Sequence, residues 1–332
     1  MRKLNLKPLA EQVLVITGGS SGIGAATGRA AARAGARVVL AGRDAAELDK
    51  VAESIRTDGG QVTTVTMDVG IEEDHHRLLQ AALEAYGSVD TWVNNAGVSI
   101  FGPLQSVPIE DQRKLFETDY WGVVYGSLTA VPYLRERGGA LINVGSEVSD
   151  RAIPMQGAYS AAKHAVKGFT DALRMELMQE NLPVSVTLIK PGSIDTDYTR
   201  RARNYMDVEP VLPPPIYSPE AVAQAILYAA HKPQRDLYVG SAAKIMSSLG
   251  HRAPGLMDAL GGWLTRHQRS DVPATEGGDG LYEPGVRAAT PSPSKVRRHS
   301  YYTEVNTRGK GMFWLGTGAV LLVGTVLARR RH

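Results

Sequence analysis

The chain of 332 residues contains no cysteine. This absence excludes a disulfide framework, a thiolate zinc site and a cysteine nucleophile. An excess of charge of one sign is also missing, because 37 lysines and arginines are balanced by 34 aspartates and glutamates, for a formal net charge of +3. The basic residues form no patch interleaved with aromatic residues. We therefore expect no nucleic-acid partner.

Long hydrophobic runs are absent until the last part of the chain. The first apolar run, VLVIT, is short and leads directly into a glycine-rich turn, so it does not resemble a signal peptide. We therefore expect the bulk of the chain to stay in the cytoplasm. His75 and His76 are adjacent and lie on different faces of a helix, and no other ligands have metal spacing. No metal site is predicted.

Short apolar runs alternate with helical patterns through residues 1–240. The runs are β-branched and mostly free of charge, which is typical of strands buried on both faces of a parallel sheet. This alternation predicts an α/β fold with a doubly wound parallel sheet, which binds ligands at the carboxyl ends of its strands. The predicted strands are 13–17, 37–41, 61–67, 89–93, 140–144, 184–189 and 236–240, and the main predicted helices are 44–56, 72–86, 112–134 and 158–178.

The pattern changes after residue 240. Residues 241–269 have apolar residues at helical spacing around Pro254, which predicts an amphipathic helical extension of one or two helices. Residues 270–310 are rich in glycine, proline, serine and charge, and this composition predicts a flexible linker. Residues 311–328 carry no formal charge.

The sequence TGGSSGIG, residues 17–24, follows the first predicted strand and opens a helix. Gly18 allows unusual turn dihedrals, Gly22 lets the backbone approach a pyrophosphate, and Gly24 permits close helix packing. Ser20, Ser21 and Ile23 complete the turn. The order of strand, turn and helix predicts a dinucleotide site, although a tight turn without a ligand remains the alternative.

The sequence YSAAKHA places Tyr159 and Lys163 on one face of a predicted helix. A phenol titrates near ~10, so it exchanges protons at neutral pH only when a neighbouring cation favours the phenolate. Lys163 is a candidate for that cation. Taken alone, the pair could equally be two solvated surface residues.

Five motifs in the same order resemble those of the classical short-chain dehydrogenase/reductase (SDR) family. The resemblance extends from about residue 13 to residue 240. The matching segments are TGGSSGIG, NNAG at 94–97, Ser146, the YSAAK of Tyr159 and Lys163, and PGSIDT at 191–196.

The resemblance implies a Rossmann sheet and reversible oxidoreduction of an alcohol and a carbonyl. Tyr159 is then the acid, Ser146 hydrogen-bonds the substrate oxygen, and Lys163 lowers the Tyr159 pKa and holds the nicotinamide ribose. By the same resemblance, Asp68 and Val69 lie at the adenine ring. The remaining implied cofactor residues are Asn95, Ala96 and Gly97 on the adenosine side, and Pro191, Gly192, Ile194 and Thr196 at the nicotinamide.

Asp119 departs from the family, which usually has asparagine at this position to shape a helix kink and a water relay to the active-site lysine. A carboxylate here could serve the same relay, pair with Lys163, weaken catalysis or be neutral.

Cofactor choice is predicted from the end of the second strand. The position where NAD-preferring enzymes place an acid holds Gly42, and Arg43 follows it. Arg43 could bind the 2′-phosphate of NADP, so NADP(H) is favoured over NAD(H). An ordinary surface arginine is the alternative.

Three functional hypotheses follow. The favoured one is an NADP(H)-dependent enzyme acting on a small apolar alcohol or carbonyl, with residues from about Tyr198 to Pro215 over the substrate pocket. The second is a dinucleotide-binding protein with little turnover that acts as a redox sensor, and the third is a membrane scaffold. The complete set of Ser146, Tyr159 and Lys163 argues against the last two. A homo-oligomer stays open.

The apolar residues 311–328 predict a single C-terminal transmembrane helix that holds the enzyme at the cytoplasmic side of a membrane. At about 1.5 Å per residue the helix spans ~27 Å, just short of a ~30 Å hydrocarbon core. Phe313 and Trp314 lie near one end, where aromatic rings favour the interface. Basic residues flank both ends, so they do not fix the orientation. A pocket-covering helix of a soluble cytoplasmic protein is the alternative.

Overall fold

Seven parallel strands form the central sheet of the protein, which is described here from a computed structural model covering residues 4–275, 277–286, 296–298 and 300–307. The strands are β1 Val13–Thr17, β2 Arg37–Gly42, β3 Gln61–Thr66, β4 Thr91–Asn94, β5 Gly139–Val144, β6 Val184–Pro191 and β7 Asp236–Val239. Their order across the sheet is β7-β6-β5-β4-β1-β2-β3. The predicted doubly wound sheet is confirmed.

Burial on both faces explains why these strands read as continuous apolar runs. In β1, Leu14 and Ile16 belong to one hydrophobic cluster, whereas Val13 and Val15 belong to another, because successive side chains point to opposite faces. All four residues are fully buried. The sheet therefore separates two cores, and a helical layer covers each one.

Helices form the two outer layers. The helices are α1 Gly22–Arg33, α2 Ala45–Thr57, α3 Glu72–Tyr86, α4 Ile109–Phe116, α5 Gly122–Arg137, α6 Gly157–Gln179, α7 Tyr198–Arg201, α8 Pro219–His231, α9 Ser241–Arg252, α10 Pro254–Ala259, α11 Gly261–Arg266 and α12 Tyr301–Thr307. Helices α1 and α8 pack on the first cluster through Ala25 and Val222. Helices α3, α5 and α6 pack on the second cluster through Leu78, Leu134 and Leu173.

A π-helical segment, Glu117–Trp121, joins α4 to α5 where the sequence predicts one continuous helix. Such segments insert an extra residue into the helical ladder and are frequent at functional sites. Asp119 lies in this segment and its side chain is fully buried. The local widening of the helix thus directs a carboxylate into the interior.

The strand order reverses between β1 and β4, and this opens a crevice at their carboxyl ends. The glycine-rich turn after β1 lies at this point. Gly18 has φ +66°, and a Cβ on Gly24 would come within 2.1 Å of the Gly18 carbonyl oxygen. A side chain at either position would therefore displace the turn from the first turn of α1.

The segment after β7 differs from its prediction. Helices α9, α10 and α11 occupy the predicted extension, but Arg269–Pro273 pairs antiparallel with Val208–Pro210, and Val296–Arg297 pairs with Ile216–Tyr217. The prediction of a flexible linker over 270–310 is therefore wrong for its described residues. Composition showed that this segment cannot fold alone, but it does not need to, because it binds to a surface that the domain provides.

The predicted membrane helix, residues 311–328, lies outside the described residues. Within the described part of the chain, no helix is both long and apolar enough to cross a membrane.

Candidate active site

A deep cleft lies at the carboxyl ends of the strands and contains about 1570 Å³ of space, part of it open to solvent. Most of the predicted cofactor residues line it, so the fold brings together segments that are far apart in sequence. The predicted residues in its wall are Gly18, Ser20, Ser21, Gly22, Ile23, Arg43, Val69, Asn95, Ala96, Gly97, Ser146, Tyr159, Lys163, Pro191, Gly192, Ile194 and Thr196.

Gly24 and Asp68 are predicted cofactor residues that do not belong to the described wall of the cleft. Gly24 lies beneath the turn, against the Gly18 carbonyl. The Asp68 carboxylate accepts a hydrogen bond from the Gly70 N–H at 2.9 Å and lies 3.5 Å from Lys114 Nζ. Asp68 thus shapes the loop that carries Val69.

Tyr159 and Lys163 lie one helical turn apart near the start of α6, as their spacing predicts. The Lys163 ammonium is 5.6 Å from the centre of the Tyr159 ring. Only 4% of the Lys163 side chain is exposed. Burial acts to lower the pKa of Lys163, but attraction from Asp119 and Tyr159 outweighs it and raises the pKa. Lys163 therefore keeps its charge next to the phenol.

Asp119 pairs with Lys163, which was one of the alternatives for this position. Asp119 Oδ2 is 3.2 Å from Lys163 Nζ, and Asp119 Oδ1 accepts a hydrogen bond of 2.7 Å from the Val98 N–H. Lys163 also donates to the Val144 carbonyl at 3.4 Å. The pair joins the π-helical segment, which carries Asp119, to α6, which carries Lys163.

The pKa of Tyr159 is raised above its ordinary value, whereas the sequence predicted that Lys163 would lower it. Burial raises this pKa, the charge of Lys163 opposes the rise, and the charge of Asp119 adds to it. The hydroxyls of Ser146 and Tyr198 lower the pKa, but the sum remains above the ordinary value. Lys163 thus lowers the Tyr159 pKa, as predicted. Burial of the phenol and the charge of Asp119 raise the same pKa by more.

Ser146 caps the short 3₁₀ turn Glu147–Ser149 after β5. Its hydroxyl accepts a hydrogen bond from the Val148 N–H at 3.3 Å, which fixes the side chain at the wall of the cleft. Glu147, which sequence analysis did not single out, also lines this wall, and burial raises the pKa of its carboxyl to about 7.

Tyr198 is a second residue that sequence analysis placed only as the start of a covering segment. Its ring meets the Tyr159 ring edge-on, with centroids 5.5 Å apart. Its hydroxyl lies 2.7 Å from Gln156 Oε1, to which it donates, and 2.8 Å from Ser99 Oγ. Its position two residues after PGSIDT was the signal that the sequence offered. Without the fold, the approach of α7 to α6 was not predictable.

Apolar residues also pack near Tyr159. Val98 lines the cleft, whereas Ile100 and Phe101 belong to the buried core and not to the described wall. Val148 and Ile153 belong to a cluster that packs against Tyr159, and Leu212 and Pro213 line the same cleft.

Comparison with known proteins agrees with this geometry. Residues 12–207 match the short chain dehydrogenase family. The chain belongs to the short-chain dehydrogenase family. It is therefore an oxidoreductase of the SDR type, and its cofactor is a nicotinamide dinucleotide.

Two curated relatives illustrate the range of similarity. The uncharacterized oxidoreductase YxnA of Bacillus subtilis is 45% identical over 315 residues, which cover 92% of this chain and 88% of YxnA. A share this large includes residues beyond β7. The 11-beta-hydroxysteroid dehydrogenase A of Sesamum indicum is 33% identical over 239 residues, covering 68% of each chain.

Solved structures give the same fold. An alcohol dehydrogenase of Thermococcus sibiricus in complex with 5-hydroxy-NADP has a TM-score of 0.60 at 28% identity, covering 68% of this chain and 95% of its own. An SDR of Burkholderia phymatum in complex with NAD has a TM-score of 0.67 at 24% identity, covering 83% of this chain and all of its own.

Replacing Asp119 by asparagine tests the effect of the buried carboxylate. Asparagine still accepts the Val98 N–H but removes the negative charge that adds to the Tyr159 pKa. We expect the Tyr159-dependent limb of the pH profile of kcat/KM for alcohol oxidation to shift to lower pH by on the order of one unit. The rate below that limb stays equal or rises. An unmoved limb, or a collapse of the rate at every pH, would contradict this assignment.

Proposed function

We propose that the protein is an NADP(H)-dependent oxidoreductase that interconverts an apolar or lipid-like alcohol and its carbonyl. The observation that carries the proposal is the meeting of Ser146, Tyr159 and Lys163 at one end of the dinucleotide cleft. Carbonyl reduction needs a proton donor and a hydrogen bond to the developing alkoxide, and this trio supplies both.

A nicotinamide dinucleotide bound in this cleft would supply the hydride for the reduction. Ser146 holds the carbonyl oxygen, and Tyr159 gives its phenolic proton to that oxygen as the C–O double bond becomes a single bond. Lys163 stabilises the resulting phenolate until solvent reprotonates it. In the oxidation, the Tyr159 phenolate would take the proton from the alcohol, and a bound oxidised nicotinamide would accept the hydride.

The raised pKa of Tyr159 supports the reductive direction. Burial and Asp119 keep the phenol protonated at neutral pH, and this is the state that carbonyl reduction requires. In the oxidative direction the same residue must first lose its proton, so oxidation should speed up as the pH rises towards the Tyr159 pKa.

An apolar substrate is supported by the wall around Tyr159. Val148, Ile153 and Leu212 line the cleft and offer contacts to hydrocarbon. Glu147 carries a negative charge above a pH of about 7 and would repel a carboxylate substrate.

Preference for NADP(H) is supported by the residues after β2. Gly42 offers no carboxylate to a ribose diol, and Arg43 lies beside it in the wall of the cleft. The Ser20 hydroxyl lies near Gly42, so it is available as a further donor to a phosphate. A guanidinium binds a phosphate through charge-assisted hydrogen bonds.

A dinucleotide-binding redox sensor or scaffold with little turnover is the second candidate. Asp119 favours it, because its carboxylate offsets the charge of Lys163 and adds to the Tyr159 pKa. A turnover screen of small, steroid-like and lipid-like ketones with NADPH separates the two candidates, since the sensor would bind the cofactor and reduce none of them.

Tyr159→Phe removes only the phenolic hydroxyl. We expect it to abolish turnover and to leave dinucleotide affinity nearly unchanged, because the ring and its packing remain. Steady-state rates and a fluorescence titration with NADPH measure the two effects. Tyr228→Phe, on the distant helix α8, is the control. A Tyr159→Phe enzyme that retained more than a small fraction of the rate would refute the mechanism.

Arg43→Ala tests cofactor preference. Loss of a charge-assisted contact costs about 1.5–3 kcal/mol, so NADPH affinity should fall roughly 10- to 150-fold more than NADH affinity. Titration of both cofactors against wild type and variant gives the two ratios. Equal losses would remove Arg43 from the 2′-phosphate site.

The apolar residues 311–328 support a proposed membrane anchor, which would let the enzyme reach lipid-borne substrates from the cytoplasmic side. The full chain should stay in the membrane fraction after high-salt and carbonate extraction, whereas a chain ending at Thr307 should be soluble. If both the full chain and the shortened chain were soluble after extraction, the proposed anchor would be ruled out.

A further inference from the structure

Residues 279–284, called the strap below, run along the rim of the dinucleotide cleft. Gly280 and Pro284 belong to the same wall as the glycine-rich turn and Arg43. The strap therefore forms part of the wall of the cleft.

One end of the strap is attached to the segment after α7. Asp279 Oδ2 accepts a hydrogen bond of 2.8 Å from Arg203 Nε, and the Gly280 N–H donates to the Arg201 carbonyl at 2.6 Å. Arg201 itself lines the cleft. The strap thus starts beside the C-terminal end of α7.

The middle of the strap is anchored in the protein interior. Leu281 is fully buried, and it lies in a cluster with Val98, Ile100, Val107, Leu115 and Ala162. The next residue, Tyr282, donates from its hydroxyl to Asp111 Oδ1 at 2.7 Å.

Asp111 is a preformed acceptor for this tyrosine. It also accepts hydrogen bonds from Tyr205 and Arg203, and these donors together hold the pKa of its carboxyl below the usual range against the effect of burial. A buried carboxylate that binds three donors, Arg203 and Tyr205 from the segment after α7 and Tyr282 from the strap, fixes the strap at a defined position.

The strap also contacts the adenosine end of the cleft through Arg43. The Arg43 guanidinium donates to three consecutive carbonyls, those of Gly280, Leu281 and Tyr282, the last at 3.0 Å. One short segment therefore connects Arg201, at the covering segment, with the arginine that follows β2.

We propose that the strap is a wall of the cofactor site that retains the bound dinucleotide, so that the cofactor leaves only when the strap detaches. This inference rests on the proposed function in one respect, namely that the cleft holds a phosphorylated nicotinamide dinucleotide. The three carbonyls accept hydrogen bonds from Arg43, which lines the cleft, and the buried Leu281 is the anchor that must be released. Dissociation of the cofactor is then limited by the anchors of the strap.

The test measures NADPH dissociation by stopped-flow displacement in the full chain. Leu281→Ala removes the buried anchor and Tyr282→Phe removes only the hydroxyl that reaches Asp111. Each should raise the dissociation rate constant about tenfold or more, because each loses an anchor of substantial strength. Association should change less, so the Kd rises with the dissociation rate.

Two control variants separate this effect from general destabilisation. Leu134→Ala removes an equally buried leucine from α5, and Tyr228→Phe removes a hydroxyl from α8. Both should leave NADPH dissociation unchanged, and thermal unfolding of each variant reports its stability. Unchanged dissociation in both strap variants, or slower dissociation, would overturn the proposal. A wild-type chain that binds neither NADPH nor NADH would overturn the proposed function and the strap with it.

The absence of cysteine allows a second readout. Glu283 is exposed on the strap, so a Glu283→Cys variant carries a single thiol for a fluorophore. The label should change its signal at the same rate as NADPH dissociates. A signal that does not respond to release of the cofactor would contradict detachment of the strap.

Discussion

The buried ion pair of Lys163 and Asp119 is the interaction on which the rest of the site depends. Removing two charges from water is costly, and their attraction offsets this cost only with close approach and additional hydrogen bonds. The distance of 3.2 Å, the Val98 N–H and the Val144 carbonyl meet that requirement. These partners come from the ends of β4 and β5, the π-helical segment and α6. The pair therefore forms only when all four elements are in place.

The same pair connects the fold to the chemistry. It lies close to Tyr159, and its two charges have opposite effects on the pKa of the phenol. The ammonium favours the phenolate, and the carboxylate favours the phenol. In a dry site these effects are larger than they are in water. The ease with which Tyr159 gives up its proton thus follows from the balance between the two charges rather than from the lysine alone.

Much of the fold and of the cofactor cleft could be predicted from sequence, because both depend on local patterns. A strand buried on both faces has to be apolar throughout, and a turn as tight as the one at Gly18 and Gly24 has to be glycine. What was missed depends on contacts between distant segments. The approach of Tyr198 to Tyr159 and the burial of Leu281 have no periodicity of their own. Composition alone therefore predicted a linker where single residues attach a strap.

The central claim is that Lys163 and Asp119 together set the proton affinity of Tyr159. Titration of the tyrosinate absorbance, with the matching Tyr159→Phe protein subtracted, measures that affinity directly in the dinucleotide-saturated enzyme. In the Asp119→Asn protein only the ammonium remains, whereas in the Asp119→Asn, Lys163→Met protein neither charge does. The account predicts a higher Tyr159 pKa in the double variant than in the single one. Equal pKa values in the two proteins would contradict it.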